Sequence, residues 1–382
     1  MSVLNLNNSD ANLTAKMFFD ERGSVGVVRY DEVKYPILKK MAKTMRGYYW
    51  SPEEIDMNKD RGDFQKLPPH ERWIFTKSLL RVILLDSVQG RAPAEMLNPV
   101  TGLSEVENLV TTWTFFENIH SETYTYMIQN IYPTASEVFG DMTDDPQIVA
   151  CAEDISKYYD DYAEAMYAFK ALGFGEFEIK SKSGEIRKIV ISEYEIKKKL
   201  WLMLVSVLAL ESTRFYSNFC VFWNFAERSL CEGSAKLIKL ICRDENIHYS
   251  VTQKLLKNIL IKDDPMFAQI AAECVGESTE IFERTIQQEK DWISYIFSRG
   301  SMIGLNEALL SSYVDFIGSK NMKSIGLTPT FKAPTSNPLP WTTSWIVPGS
   351  TQVAPQEVEQ SAYVIGGFKQ DIDENTFKDF KL

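Results

Sequence analysis

Two of the three histidines in this chain follow a glutamate by three residues, in Glu117-Asn118-Ile119-His120 and Glu245-Asn246-Ile247-His248. Both motifs lie in long segments whose apolar residues recur every three or four positions, so both are read as helical. Residues three apart on a helix share a face one turn apart, and a carboxylate and an imidazole placed so can reach one metal ion. No other feature constrains the fold as much, because it calls for a bundle with charged ligands inside. Such a bundle takes one further acid from each of two more helices. Asp86, after Val82-Ile83-Leu84-Leu85, and Glu211, at the end of the apolar run Leu200 to Leu210, fit that need. An acid on so apolar a helix is costly unless it is paired or metal-bound. Ion pairs from Asp86 to Arg91 and from Glu211 to Arg214 are the plainer alternatives. His70, beside Pro68-Pro69, has no such partner and reads as a loop residue. Two ferric ions and one oxo bridge would cancel the charge of the four carboxylates with two neutral imidazoles. Without metal those acids should repel one another and take up protons. Hard oxygen donors with few imidazoles suit iron or manganese better than zinc or copper(I).

The rest of the chain agrees with an all-α bundle around that site. Helical periodicity runs from about Glu71 to Leu85, Ser104 to Ile131, Pro146 to Leu172, Ile196 to Asn224, Phe225 to Leu260 and Pro265 to Phe297. One small β-hairpin is expected at about 177–191, with strands on either side of Ser181-Lys182-Ser183-Gly184. The last segment, 346–382, loses the helical stripe and gains prolines, glycines and acids, so it reads as a flexible acidic tail. Phe377, Phe380 and Leu382 at its tip are the kind of apolar residues that dock into a partner's groove. The division is therefore 1–345 as the helical domain and 346–382 as the tail. A net charge of −11 argues against nucleic acid as a partner. Five scattered cysteines with no C-x-x-C exclude a disulfide framework or a zinc ribbon and fit buried thiols in a reducing compartment. The N-terminus has no basic region of a signal peptide, and the longest apolar run is too short to span a bilayer, so the expected location is the cytoplasm.

Several stretches resemble the β, or small, subunit of class I ribonucleotide reductase. They are Leu84 to Arg91, Trp113 to Thr125, Ala209 to Tyr216, Arg243 to His248, Tyr48 to Glu54, Gln288 to Trp292, Ser301 to Asn306 and Gln352 to Glu359. The resemblance runs in order from about residue 17 to the C-terminus and is nearest the class Ia type of enteric bacteria and their large phages. It implies a ferritin-like fold, a homodimer, and an oxo-bridged centre of two iron ions held by Asp86, Glu117, His120, Glu211, Glu245 and His248. It also implies a radical on Tyr124 inside a pocket of Phe215, Phe219 and Ile241. Tyr124 lies seven residues beyond Glu117, so it returns to nearly the same helix face. Phe215 and Phe219 follow Glu211 by four and eight residues, and Ile241 precedes Glu245 by four, so all three lean toward the metal face.

By the same resemblance, Trp50 is a surface-proximal relay residue and Asp244 links it to the metal-bound His120. Tyr363 passes the radical between subunits with help from Glu357, and Phe377, Phe380 and Leu382 dock the large α subunit. The implied activity is oxidation of Tyr124 by the di-iron centre and dioxygen. The oxidising equivalent then moves to a cysteine of the α subunit, which reduces a ribonucleoside diphosphate at the ribose 2′ carbon. The chain has no G-x-x-x-x-G-K-[ST] and no G-x-G-x-x-G, so substrate and effectors are expected on the α subunit only. Three rivals bear comparison. Another ferritin-like di-iron oxidase or an iron-storage protein has no use for Trp50 or Tyr363. A metal-free helical scaffold leaves the buried acids unexplained. A dimanganese relative would share the ligand set.

Overall fold

Prolines set where several helices begin. Pro36, Pro69, Pro146 and Pro265 each open a helix, where a missing N–H costs nothing and the fixed φ suits the turn. The computed structural model describes Asn5 and residues 12–20, 26–91, 102–180 and 186–346. In chain order its main elements are α1 (Pro36–Gly47), α2 (Asn58–Lys66), α3 (Pro69–Gln89), α4 (Ser104–Ile131), α5 (Ala135–Thr143), α6 (Pro146–Leu172), β1 (Gly175–Lys180), β2 (Ile186–Ile191), α7 (Glu193–Ala209), α8 (Phe215–Glu227), α9 (Glu232–Lys254), α10 (Pro265–Glu273), α11 (Val275–Phe297) and α12 (Glu307–Ser324). Helix α4, with 28 residues, is about 42 Å long. Helix α3 packs on α4 and α8, and α9 packs on the same two, so these four enclose one interior. Helix α7 passes into α8 through a single π turn, Leu210–Arg214, without a break in direction. Such a widened turn is a frequent mark of a functional site.

The expected limits of α4 and α6 are those found. Helix α6 is closed by Gly173, whose φ of 80° needs a residue without Cβ strain. The hairpin is also present: β1 and β2 are antiparallel with Phe177 opposite Ile189, while its turn lies outside the described residues. The expected helix from Phe225 to Leu260 is instead two, split at Arg228–Cys231. Ser229 and Cys231 there have φ of 56° and 47°, with no glycine to announce it. What holds the new helix start comes from α2. Asp60 accepts from the Gly233 and Ser234 amides at 3.0 and 2.6 Å, and Asp63 accepts from the Cys231 amide at 3.1 Å. A Cβ on Gly233 would lie 2.7 Å from the Asp56 carbonyl oxygen, so only glycine lets α2 approach this closely.

The expected helix from Pro265 to Phe297 is likewise interrupted, at Cys274 (φ −92°, ψ 12°). Helices α1, α2 and α12 were not expected. His70 is not a loop residue: it sits in the first turn of α3, with its Nε2 3.2 Å from the Ser301 carbonyl oxygen. All five cysteines are buried and free. Among the described residues no helix is long and apolar enough to cross a membrane. The tail beyond residue 346, with Glu357, Tyr363, Phe377, Phe380 and Leu382, lies outside the described residues.

Candidate metal centre

Asp86 comes from the last turn of α3, and Glu117, His120 and Tyr124 from the middle of α4. Glu211 comes from the π turn, and Ile241, Asp244, Glu245 and His248 from α9. The six expected ligands are all completely buried, with no exposed surface. Their ligating atoms form two groups, each within 4.8 Å: Asp86, Glu117, His120 and Glu245, then Glu117, Glu211, Glu245 and His248. Glu117 and Glu245 belong to both groups. Two overlapping sets with two shared carboxylates could hold two neighbouring ions.

The donor set fits metal, because its buried atoms are otherwise left without partners. Among the described residues, both Asp86 oxygens, Glu117 Oε2, Glu211 Oε2, Glu245 Oε1 and His120 Nδ1 accept or donate no hydrogen bond. Buried polar atoms are almost always satisfied, and leaving this many open in one place is costly. The ion pairs that would have explained the acids otherwise are not formed. Arg214 turns away from Glu211 to Asp154 at 2.7 Å, and Arg91 is exposed. The two imidazoles face inward. His120 Nδ1 lies 3.2 Å from Glu245 and 3.4 Å from Glu117, and His248 Nδ1 lies 2.8 Å from Glu245 and 3.2 Å from Glu117.

Electrostatics divides the four acids. Burial, reinforced by the charges of Glu117 and Glu245, raises Asp86 well above the usual carboxylate range, and burial with Glu245 does the same to Glu211. Burial also works against charge on Glu117 and Glu245, but the adjoining imidazoles overcome it and hold both low. Burial opposes protonation of His248, yet Glu117 and Glu245 push it up to about 9, and His120 is raised well above its ordinary value. The cluster thus pushes Asp86 and Glu211 toward their protonated forms and Glu117 and Glu245 toward their charged ones.

A ring of side chains orients these donors. Trp50 Nε1 donates to Asp244 Oδ2 at 2.8 Å, and His120 Nε2 lies 3.4 Å from the same oxygen, so Asp244 joins indole and imidazole. Trp50 is itself fully buried. Its neighbour Tyr49 is the half-exposed residue. Three participants were not assigned from sequence. Trp113 donates to Glu117 at 2.7 Å and stacks on His248 at 4.7 Å. Gln89 donates to Glu211 at 2.6 Å, and its carbonyl accepts from Tyr159. Trp113 precedes Glu117 by four residues and Gln89 follows Asp86 by three, a helical spacing that could have revealed both. Tyr124 is fully buried and its hydroxyl makes no hydrogen bond among the described residues. Burial and then the charge of Asp86 raise its phenol well above the ordinary range. Phe215, Phe219 and Ile241 are buried, the first two stacked at 5.6 Å.

Long helices closing on two overlapping carboxylate and histidine groups define a ferritin-like di-metal carboxylate protein. Residues 27–338 match the family model of the ribonucleotide reductase small chain. The chain is 44% identical to the ribonucleoside-diphosphate reductase 1 subunit beta of Escherichia coli O157:H7 over 97% of this chain and 96% of that one. It is 33% identical to the subunit beta of Enterobacteria phage T4 over 100% of this chain and 99% of that one. The chain therefore belongs to the ribonucleotide reductase small-chain family, as the β subunit of a class I ribonucleoside-diphosphate reductase that works with an α subunit. Among solved structures, the R2 subunit from Clostridium botulinum shares the fold with a TM-score of 0.71 at 22% identity, over 88% of this chain and 99% of that one. The dimanganese(II)-NrdF of Streptococcus sanguinis does so with a TM-score of 0.63 at 17% identity, over 84% and 99%.

Proposed function

We propose that this subunit generates and stores a radical on Tyr124, with Asp86, Glu117, His120, Glu211, Glu245 and His248 holding two metal ions, iron rather than manganese. The observation that carries the reading is the set of buried, unpartnered donor atoms converging from four helices, with the unpartnered Tyr124 hydroxyl beside them. When bound, the metal pair supplies with dioxygen the one-electron oxidant that Tyr124 requires. Tyr124 gives up an electron and its Oη proton and becomes a neutral radical. Asp86 is the acid that weighs most on the phenol, and we assign it as the acceptor on that side. Phe215, Phe219 and Ile241 exclude water and reductants, which is a packing task suited to fully buried side chains. Asp244 holds His120 and Trp50 in register through one oxygen, an arrangement that fixes an imidazole's orientation.

Trp50 then exchanges the oxidising equivalent with Tyr363 of the tail, assisted by Glu357, and Phe377, Phe380 and Leu382 dock the tail on the α subunit. Residues 1–345 act as the radical-generating domain and 346–382 as the docking tail. Nucleotides bind the α subunit. Pairing of two copies is supported by the half-exposed Tyr49 and Phe115, stacked at 6.0 Å on the outside of the bundle. The site of action is the cytoplasm, where buried free thiols persist.

The test starts from apoprotein given ferrous iron and oxygen, then frozen for EPR, beside Tyr124→Phe. A tyrosyl signal in the wild type that is lost in the variant, with equal iron uptake, is the expected result. Iron uptake without a signal would favour manganese activation or a di-iron oxidase, and no uptake would overturn the ligand assignment.

A further inference from the structure

We infer that a column of aromatic rings running from Phe215 to Trp345 is a second electron path between the metal pocket and solvent, separate from the Trp50–Asp244 pair. The inference rests on the radical reading above. Glu211, Phe215, Phe219 and Trp223 follow one another at four-residue steps and so share one helix face. Phe215 stacks on Phe219 at 5.6 Å, Phe219 meets Trp223 at 5.8 Å, and Trp223 stacks on Trp345 at 6.0 Å with 12° between the planes. The first three rings are fully buried, and Trp345 is partly exposed. The column therefore runs from Phe215, four residues beyond Glu211, to a ring that reaches the surface.

Packing alone does not account for the indole at Trp223. Its Nε1 is buried and has no hydrogen-bond partner among the described residues. A phenylalanine would fill the core there without an unpaired donor. An indole differs from a phenyl ring in being far easier to oxidise. Trp223, with no proton acceptor, can pass on an electron only. Trp345 differs, because its Nε1 donates to Glu227 Oε1 at 2.8 Å, so it can lose an electron and a proton together. Lys239 Nζ lies 5.3 Å from the centre of the Trp345 ring and disfavours a cation there, which makes proton loss to Glu227 part of the step.

With a radical on Tyr124, Trp223 loses one electron, which refills the radical, and Tyr124 Oη regains from Asp86 the proton it gave up. Trp345 then gives one electron to Trp223 and its Nε1 proton to Glu227. A small one-electron donor in solution, such as ascorbate, returns the electron to Trp345, and Glu227 returns the proton. The two phenylalanines act as spacers and are not oxidised.

The test uses the full-length, iron-loaded protein as wild type, Trp345→Phe, Trp345→Tyr and Trp223→Phe, with iron content measured beside each. The tyrosyl EPR signal is followed after addition of ascorbate. Decay should slow about ten-fold in both phenylalanine variants, equivalent to about 1.4 kcal/mol of barrier, and stay near the wild-type rate in the oxidisable Trp345→Tyr. After activation without a reductant, peptide mass mapping should find oxidised Trp345 in the wild type and not in Trp223→Phe. Equal decay in all four proteins, or Trp345 oxidation independent of Trp223, would overturn the path while leaving the radical reading standing. Absence of any tyrosyl signal in the wild type would overturn both.

Discussion

The same segments carry two clusters of buried acids that reach opposite solutions. Helix α3 bears Arg81 five residues before Asp86, and the π turn bears Arg214 three residues after Glu211. On the arginine side the chain supplies its own cations. Arg81 pairs with the buried Glu289, and Arg214 lies 3.6 Å from Glu289 and 2.7 Å from Asp154. Ser217 donates to Glu289 at 2.6 Å, and the Arg81 guanidinium covers the Trp292 ring at 4.4 Å. On the other side, Asp86, Glu117, Glu211 and Glu245 meet only two imidazoles and retain open oxygens. A buried acid is tolerated in either setting, but only the second leaves a place for cations from outside. Burial of an acid does not by itself mark a metal site; a surplus of buried acids over permanent cations, with oxygens left open, does.

The largest expected effect breaks the self-neutralised side. Glu289→Ala leaves two arginines buried without their shared partner and should cost about 3–5 kcal/mol, read from urea unfolding. The matched change on the open side, Glu211→Gln in the apoprotein, replaces an acid already raised toward its neutral form. It should leave apoprotein stability equal or higher while abolishing uptake of the second metal ion. Loss of stability in both would erase the contrast between the clusters.

The next effect is on pH. His248 is raised to about 9 and His120 in the same direction, which favours their protonated forms at neutral pH, and Asp86 and Glu211 are raised toward theirs. Metal requires all four without protons, so binding releases protons and affinity should rise with pH. The slope is about ten-fold per pH unit for each proton released. A ferrous titration in a pH-stat measures the release directly, and a pH-independent affinity would contradict the open-site description.

A smaller effect sharpens how the open cluster is aimed. Asp244→Asn keeps the shape but weakens the hold on His120, and should lower metal affinity about 10–100-fold in competition with a chelator. The smallest effect lies far from both clusters. Lys188→Ala removes an exposed pair with Glu178 across the hairpin, 3.6 Å apart, and should leave unfolding and metal uptake unchanged.

Much of the site was legible because helical spacing is a local property. Glu117 with His120, Glu245 with His248, and the apolar runs ending in Asp86 and Glu211 are periodic patterns, and periodicity survives folding. The limits of α4 and α6 were legible for the same reason, with Ser104, Pro146 and Gly173 marking ends that depend on neighbouring residues only. The break at Ser229 and Cys231 was not legible. Its strained backbone is held by Asp60 and Asp63, about 170 positions earlier in the chain, and no local residue signals it. The first turn around His70 was missed because its place in a helix shows only once Ser301 packs against it.

By itself, then, the sequence determined the ligand types, their spacing and the helices that bear them, since these follow from covalent order and a fixed helical pitch. The tertiary structure alone decided that Glu117 and Glu245 are the two shared acids and that Arg214 serves Glu289 and Asp154 rather than Glu211. It also decided that Trp223 meets Trp345. The physical reason is that each depends on the distance between segments remote in the chain, and only the packing of helices sets those distances.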